Sequence, residues 1–299
     1  AAPSDVTAPP QRPLVAAAVM VGSAARIALS TLAAKAAQVN GGLHPLQVTH
    51  ARFLFALLGL LIPLAILRPR FGRIHWGLHL TRTTCGWAGA TLMFAAAAMI
   101  PLSDATALGF LNPASALILP FVILGDRPGP WRWVGTFVAL LGAMVLMRPP
   151  VLTGAPLELG AVLAISAAAI MAMEITVIKK LTGKERPLQM LVINNLLGLV
   201  IATVAVSFVW TWPEPSAWPY LAGVGLAMVA AQSLYIQGMR RAEASFAAPF
   251  TFTTLIFATA YDYAVYAQVP DAVSWAGIAI IVSGAGLLAW REAVRAPAR

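Results

Sequence analysis

Residues 187–209 read PLQMLVINNLLGLVIATVAVSFV, a run without a charged side chain. At about 1.5 Å per residue it covers roughly 30 Å, the thickness of a bilayer's hydrocarbon core. No water is present there to satisfy backbone N–H and C=O groups, so the run must close its hydrogen bonds within itself, as a helix. Its polarity does not alternate, which argues against a strand of a transmembrane barrel. This stretch decides the fold class.

Working outward, similar apolar runs bounded by Pro, Gly and charge clusters predict ten spans. The first half carries helices near 14–36, 46–67, 76–99, 104–124 and 131–148, and the second near 157–179, 187–209, 217–239, 244–267 and 273–290. The expected fold is all-α integral membrane, one compact bundle joined by short connections. Of 299 residues, 60% are hydrophobic and 10% charged, with mean hydropathy +0.80. Soluble domains average about 45–50% apolar and about 25% charged, so the bilayer is the solvent for most of this surface. Residues 1–13, rich in Pro and Ala, are expected to be a disordered N-terminal segment, and 292–299 a tail. The run from Leu14 is too long for a signal-peptide core and is interrupted by Arg26, so it reads as a retained first helix.

The net charge of +9 does not imply a nucleic-acid partner, because the basic residues sit in short connections rather than on an aromatic-studded face. Their distribution tests the span count. With the N-terminus inside, one side holds Arg12; Arg68, Arg70 and Arg73; Arg127 and Arg132; Lys179, Lys180, Lys184 and Arg186; Arg240 and Arg241; and Arg291, Arg295 and Arg299. The other side holds Lys35 and Arg148. By the positive-inside rule both termini are cytoplasmic. The single cysteine, Cys85, lies within an apolar run and permits no intrachain disulfide.

A shift of about 142 residues brings the halves into weak register: Pro45-Leu46-Gln47 falls on Pro187-Leu188-Gln189, Trp133 and Gly135 on Trp275 and Gly277, and Gly142 on Gly284. Five spans per half is odd, so the second half would enter the membrane inverted, as in many secondary transporters. The expected units are 14–150 and 151–291. Further, Leu102-Ser103-Asp104-Ala105-Thr106-Ala107-Leu108 leads to Pro113, then Gly125-Asp126-Arg127, Trp131-Arg132-Trp133-Val134-Gly135 and Met147-Arg148-Pro149. The second half answers with Ala242-Glu243-Ala244-Ser245, Pro249-Phe250, Trp275-Ala276-Gly277 and Ser283-Gly284. Over nearly the whole chain this resembles the EamA-type repeat of the drug/metabolite transporter superfamily. The resemblance implies a five-plus-five inverted-repeat transporter with a central cavity and alternating access, in a bacterial inner membrane. Asp126 matches the family's acidic loop position, whereas its second-half counterpart is Gln268, so interactions at that end are expected to differ.

Charged residues inside spans cost at least about 2.5 kcal/mol on insertion scales and tend to face a cavity or a partner. They are Arg26, Arg52, Arg82, Glu174 and Asp262. By depth, Arg82 suits Glu174, and Arg52 suits Asp262 as a gating or structural pair, leaving Arg26 as surplus positive charge. Residues three or four apart share a helix face. Polar or aromatic stripes then run through Ser23, Arg26 and Ser30; His79, Arg82 and Thr83; Gln232 and Tyr235; and Phe250, Thr254, Phe257 and Tyr261. With Trp87, Asn112 and Glu174 these form the expected substrate cavity. Arg26 would fork onto a substrate carboxylate, and Glu174 would meet an ammonium. Set against this, Arg52 and Arg82 can snorkel, a buried ion pair needs no transport role, and Asn112, Asn194 and Asn195 can bond between helices. His75 and His79 are four apart, but with no carboxylate or further His near them in sequence no metal is expected, and no cofactor. Trp131, Trp133, Trp210, Trp212 and Trp218 read as interfacial anchors.

The leading functional expectation is export of amino acids or similar zwitterions. The alternative is uptake of a vitamin or S-adenosylmethionine-like metabolite. An intramembrane enzyme lacks a nucleophile–base pair or metal cluster in the helices, and a channel lacks a filter loop. Partners are a small-molecule substrate and the lipid bilayer, with the oligomeric state open.

Overall fold

The computed structural model describes residues 12–69, 71–99, 129–147, 159–242, 244–266 and 271–295. Among these residues nine long helices occur: α1 (Pro13–Val39), α2 (Pro45–Leu67), α3 (Trp76–Met99), α4 (Pro130–Met147), α5 (Leu159–Thr182), α6 (Pro187–Val206), α7 (Trp218–Arg241), α8 (Thr253–Tyr266) and α9 (Ala272–Arg295). Five helices are long and apolar enough to cross a membrane: those over Pro13–Gln38, Pro45–Leu67, Leu159–Thr182, Pro187–Val206 and Pro215–Arg241. The expected span near 104–124, the N-terminal segment to residue 11, the junction at 148–158 and residues 296–299 of the tail lie outside the described residues.

Local chemistry sets the helix ends. α1, α2 and α6 each carry Pro in the first turn, where its missing N–H leaves no bond unmade. At α2 the His44 ring accepts from Leu46 N (3.2 Å) while Gln47 Oε1 accepts from His44 N (3.3 Å), a reciprocal cap that satisfies two orphan donors. Arg68, in a left-handed conformation (φ 38°), closes the same helix. The expected span 187–209 stops being helical at Val206, and the span 244–267 is broken. A one-turn helix (Ala244–Ala247) and a 3₁₀ segment (Ala248–Phe252) precede α8. Pro249, in the first turn of the 3₁₀ segment, lacks the N–H that a continuous helix would need there.

Packing follows the 142-residue offset. The most extensive contacts are α1 with α7, α4 with α9, and α3 with α5. Adding the offset turns α1 into α5 and α3 into α7, so the first and third of these pairings are counterparts. The α4–α9 pair is its own counterpart, and there the correspondence reaches single atoms. A Cβ on Gly142 would lie 2.6 Å from Ile281 N and 2.8 Å from Gly277 O, while one on Gly284 would lie 2.7 Å from Ala139 N and 2.8 Å from Gly135 O. Glycine at both positions lets the two backbones touch, as small residues do between helices in lipid.

α1 runs antiparallel to α7. Arg12 N donates to Arg241 O (3.0 Å), and the Ser23 and Ser30 hydroxyls donate to Ala231 O (2.8 Å) and Val224 O (2.9 Å). The basic residues gather at one end. Lys179 donates to Met239 O and Ala242 O, and the Arg291 guanidinium lies over the Trp131 ring at 4.4 Å. The opposite end carries Trp210, Trp212 and Trp218, with Trp210 edge-on to His50 and Trp212. The core between is apolar, built on Met20, Leu60, Leu181, Met190, Ile236, Met239 and Phe246.

Candidate functional site

About 9–14 Å in from the basic end, at 1.5 Å per helical residue, four helices bring polar side chains together. α3 supplies Arg82 and Thr83, α5 Glu174, α6 Asn194 and Asn195, and α7 Gln232 and Tyr235. The Glu174 carboxyl lies against Gly86, where a Cβ would meet its Cδ and Oε1 at 2.9 Å. A side chain at Gly86 would push the carboxyl from this position. The charges of Arg82 and then Arg52 act on it, and Tyr235 stands in its field. Among the described residues Glu174 forms no hydrogen bond and no ion pair within 4.0 Å, so the expected Arg82–Glu174 pair is one of neighbours rather than of contact.

The surrounding groups are partly satisfied. Arg82, 1% exposed, donates through Nη1 to Met190 O (3.3 Å), but its Nε is buried without a partner. Arg52 Nε and the Tyr235 hydroxyl are likewise buried and unpartnered. Thr83 Oγ1 donates to Asn194 Oδ1 (3.2 Å), and Asn195 Nδ2 donates to Leu191 O (2.8 Å) and Gln232 Oε1 (3.3 Å). The asparagines thus bond between helices as anticipated, yet Asn195 Oδ1 stays open. Buried polar atoms without partners are costly, and four of them converge here beside an unbonded carboxylate.

Other expected site residues are placed differently. The Ser23 and Ser30 hydroxyls are taken up by α7 carbonyls, because a hydroxyl stripe in lipid can bond a neighbouring helix as readily as line a cavity. Arg26 is exposed on α1 and donates to Gly22 O of its own helix at 3.0 Å. On the adjoining α8, the Tyr261 hydroxyl donates to Ala25 O (3.3 Å). Phe250 does not continue the stripe of Thr254, Phe257 and Tyr261. The 3₁₀ segment turns it into the apolar core, 3% exposed, against Phe246 at 5.3 Å. Thr254 and Trp87 are half-buried. Asn112 and the Asp262 side chain lie outside the described residues, so the Arg52–Asp262 pair does too.

His79 belongs to a second cluster that the sequence reading missed. Glu185, on the α5–α6 connection, accepts from His75 N (2.8 Å) and pairs with His75 Nδ1 (2.9 Å) and His79 Nε2 (2.7 Å). Gln189 Nε2 donates to Glu185 Oε2 (2.8 Å), and its Oε1 accepts from Gly72 N (2.8 Å). Burial alone would raise the Glu185 carboxyl, but its bonds with His79 and His75 outweigh this and hold it below the ordinary carboxylate range. Among the described residues no group of three or more His, Cys, Asp or Glu is arranged to hold a metal ion.

The model of the EamA-like transporter family matches residues 14–148 and again 158–290. A riboflavin transporter of Vibrio cholerae is 28% identical over 90% of this chain and 91% of its own length. An S-adenosylmethionine uptake transporter of Rickettsia bellii is 24% identical over 84% of this chain and 85% of its own. A solved crystal structure superposes with TM-score 0.79 at 17% identity, covering 91% of this chain and 96% of that one, a likeness of fold alone.

Proposed function

The chain belongs to the EamA-like transporter family, and on that premise we propose that it is a secondary transporter taking up a heteroaromatic metabolite of the vitamin or S-adenosylmethionine class. Amino-acid export gives way to this reading because relatives named by cargo include a riboflavin transporter and an S-adenosylmethionine uptake transporter. Ten spans arranged as two inverted repeats, 14–150 and 151–291, with both termini cytoplasmic in a bacterial inner membrane, complete it. The paired family matches and the reciprocal Gly142 and Gly284 contacts support the repeat. The gathering of basic residues at one end supports the orientation.

One observation carries the proposal: the Glu174 carboxylate stands within a span, without a hydrogen bond, between the fields of Arg82 and Arg52. A charged group so placed costs several kcal/mol unless a partner arrives, and a polar solute is that partner. Asn195 Oδ1 and the Tyr235 hydroxyl, both open, read the hydrogen-bonding edge of a ring. Glu174 meets a cationic or donor group, and the guanidiniums meet acceptors. The test is counterflow in proteoliposomes against labelled riboflavin, S-adenosylmethionine and an amino-acid mixture. Saturable exchange of either of the first two, lost in Glu174→Gln, supports the reading. Exchange of amino acids alone returns the function to zwitterion transport.

A further inference from the structure

The 142-residue offset relates the two ends of the bundle, and at one corner the ends carry opposite chemistry. At the basic end Gln189 clasps the α2–α3 connection, accepting from Gly72 N (2.8 Å) and donating to Arg73 O (3.4 Å). At the other end its counterpart Gln47 clasps the α6–α7 connection, donating to Thr211 O and accepting from Thr211 Oγ1 (3.0 Å). Beside Gln189 stands Glu185 with His75 and His79. The offset carries Glu185 onto Leu43, His75 onto Ala217 and His79 onto Leu221. Those three residues pack in one buried apolar cluster, exposed by 6%, 0% and 2%.

Both corners lie over the ends of helices that bear the polar site. Glu185 ties the start of α3, which carries Arg82 and Gly86, to the end of α5, which carries Glu174. A solute reaching Glu174 from the basic end requires α3 and α5 to part there. We infer that Glu185, seated by Gln189 and gripping His75 and His79, is the latch that closes the basic end over Glu174, and that Leu43, Ala217 and Leu221 close the opposite end as an apolar plug. The inference rests on the transport reading above. One gate opens by breaking hydrogen bonds to a carboxylate and the other by wetting apolar surface, so a substitution at one end biases the conformational equilibrium in a direction set by its end.

Cys85, the single cysteine of the chain, is the reporter: it is half-buried on α3, within the field of Glu174. Its reaction with a membrane-impermeant maleimide is followed in sealed vesicles, with reagent offered from one face at a time. Hydrogen bonds to charged groups are worth enough to shift such an equilibrium about tenfold. Glu185→Gln is therefore expected to speed labelling from the basic face by about that factor and not to speed it from the opposite face. Leu221→Ser is expected to do the reverse. If Glu185→Gln fails to assemble, His75→Asn, at a side chain 29% exposed, carries the same test. Unchanged rates, or equal acceleration from both faces, overturn the latch. Labelling needs no substrate, so solute exchange with face-independent labelling sinks the latch alone. Face-dependent labelling without exchange of any solute sinks the transport reading.

Discussion

Replacing Gly142 with alanine tests the backbone contact on which α4 and α9 meet. The new Cβ would lie 2.6 Å from Ile281 N and 2.8 Å from Gly277 O. Ordinary nonbonded contacts begin near 3.5 Å, so the helices must separate by roughly 1 Å. Backbone atoms cannot swing aside as a side-chain tip can. Overpacking of this kind costs about 1–3 kcal/mol, and a gap of that width also forfeits a quarter to a half of each dispersion contact along the seam. Gly284→Ala should cost the same, since its Cβ meets Ala139 N and Gly135 O at 2.7 and 2.8 Å. Once α4 and α9 have moved apart for one methyl group, the second finds room. The double variant should therefore cost about 1 kcal/mol less than the sum of the singles. Gly286→Ala, where a Cβ would meet nothing within 4 Å, is the control and should be neutral or slightly stabilising. Thermal unfolding in detergent, followed by tryptophan fluorescence, measures all four. A Gly142→Ala protein as stable as the Gly286→Ala control, or strict additivity in the double variant, would refute the reciprocal contact.

Glu174→Gln should lower counterflow by about ten- to a hundredfold, the range of a hydrogen bond to a charged group. Its melting temperature should fall, because the buried Arg82 and Arg52 lose a negative charge that acts on both; a loss of exchange no larger than the loss of folded protein would count against a site role. Ser23→Ala and Ser30→Ala each remove one interhelical bond and should cost about 0.6 kcal/mol apiece, read as a lowered melting temperature with the transport KM unchanged. Glu185 makes a pH prediction. Its folded-state pKa lies below its ordinary value of 4.5 through its bonds with His79 and His75, despite burial, and Arg82 also acts on this carboxyl. The stability it contributes is thus fully present above about pH 4.5 and lost as pH falls through the lower folded value. Melting temperature measured downward from pH 5 should drop more steeply in the native protein than in Glu185→Gln, and parallel curves would contradict the assignment.

Apolar run length was legible in the sequence because a bilayer imposes it residue by residue. The offset of 142 was legible because Gly142 and Gly284 must both stay small for α4 and α9 to touch. The broken entry to α8 was written in Pro249, but Ala and Phe around it disguised a kink as a continuous stripe. Ser23 and Ser30 failed differently: periodicity says that they share a face, not whether that face meets water or the carbonyls of α7. Glu185 was illegible locally, since it lies more than a hundred positions from the histidines it binds. One signal was available. Comparing the halves sets Glu185 opposite Leu43, and a carboxylate where its repeat carries leucine asks for a reason.

The same comparison across the polar site separates what the repeat keeps from what it discards. Glu174 falls on Leu32, Arg82 on Val224, Tyr235 on Met93 and Asn195 on Phe53, while Arg52 falls on Asn194. The helix contacts are doubled and the charges are not. Doubling a within-span carboxylate and its arginines would cost at least about 2.5 kcal/mol for each added charge, and would place like charges near one another about the pseudo-twofold. A transporter needs its two conformations to be nearly equal in energy, which doubled contacts supply, but it needs its cargo recognised once. A polar metabolite has no twofold symmetry of its own, so a single asymmetric set of charges on a symmetric frame is what such a cargo demands. By the same argument, moving the carboxylate to its mirror position (Glu174→Leu with Leu32→Glu) should not restore exchange lost in Glu174→Leu, since Arg82 has no counterpart across the pseudo-axis.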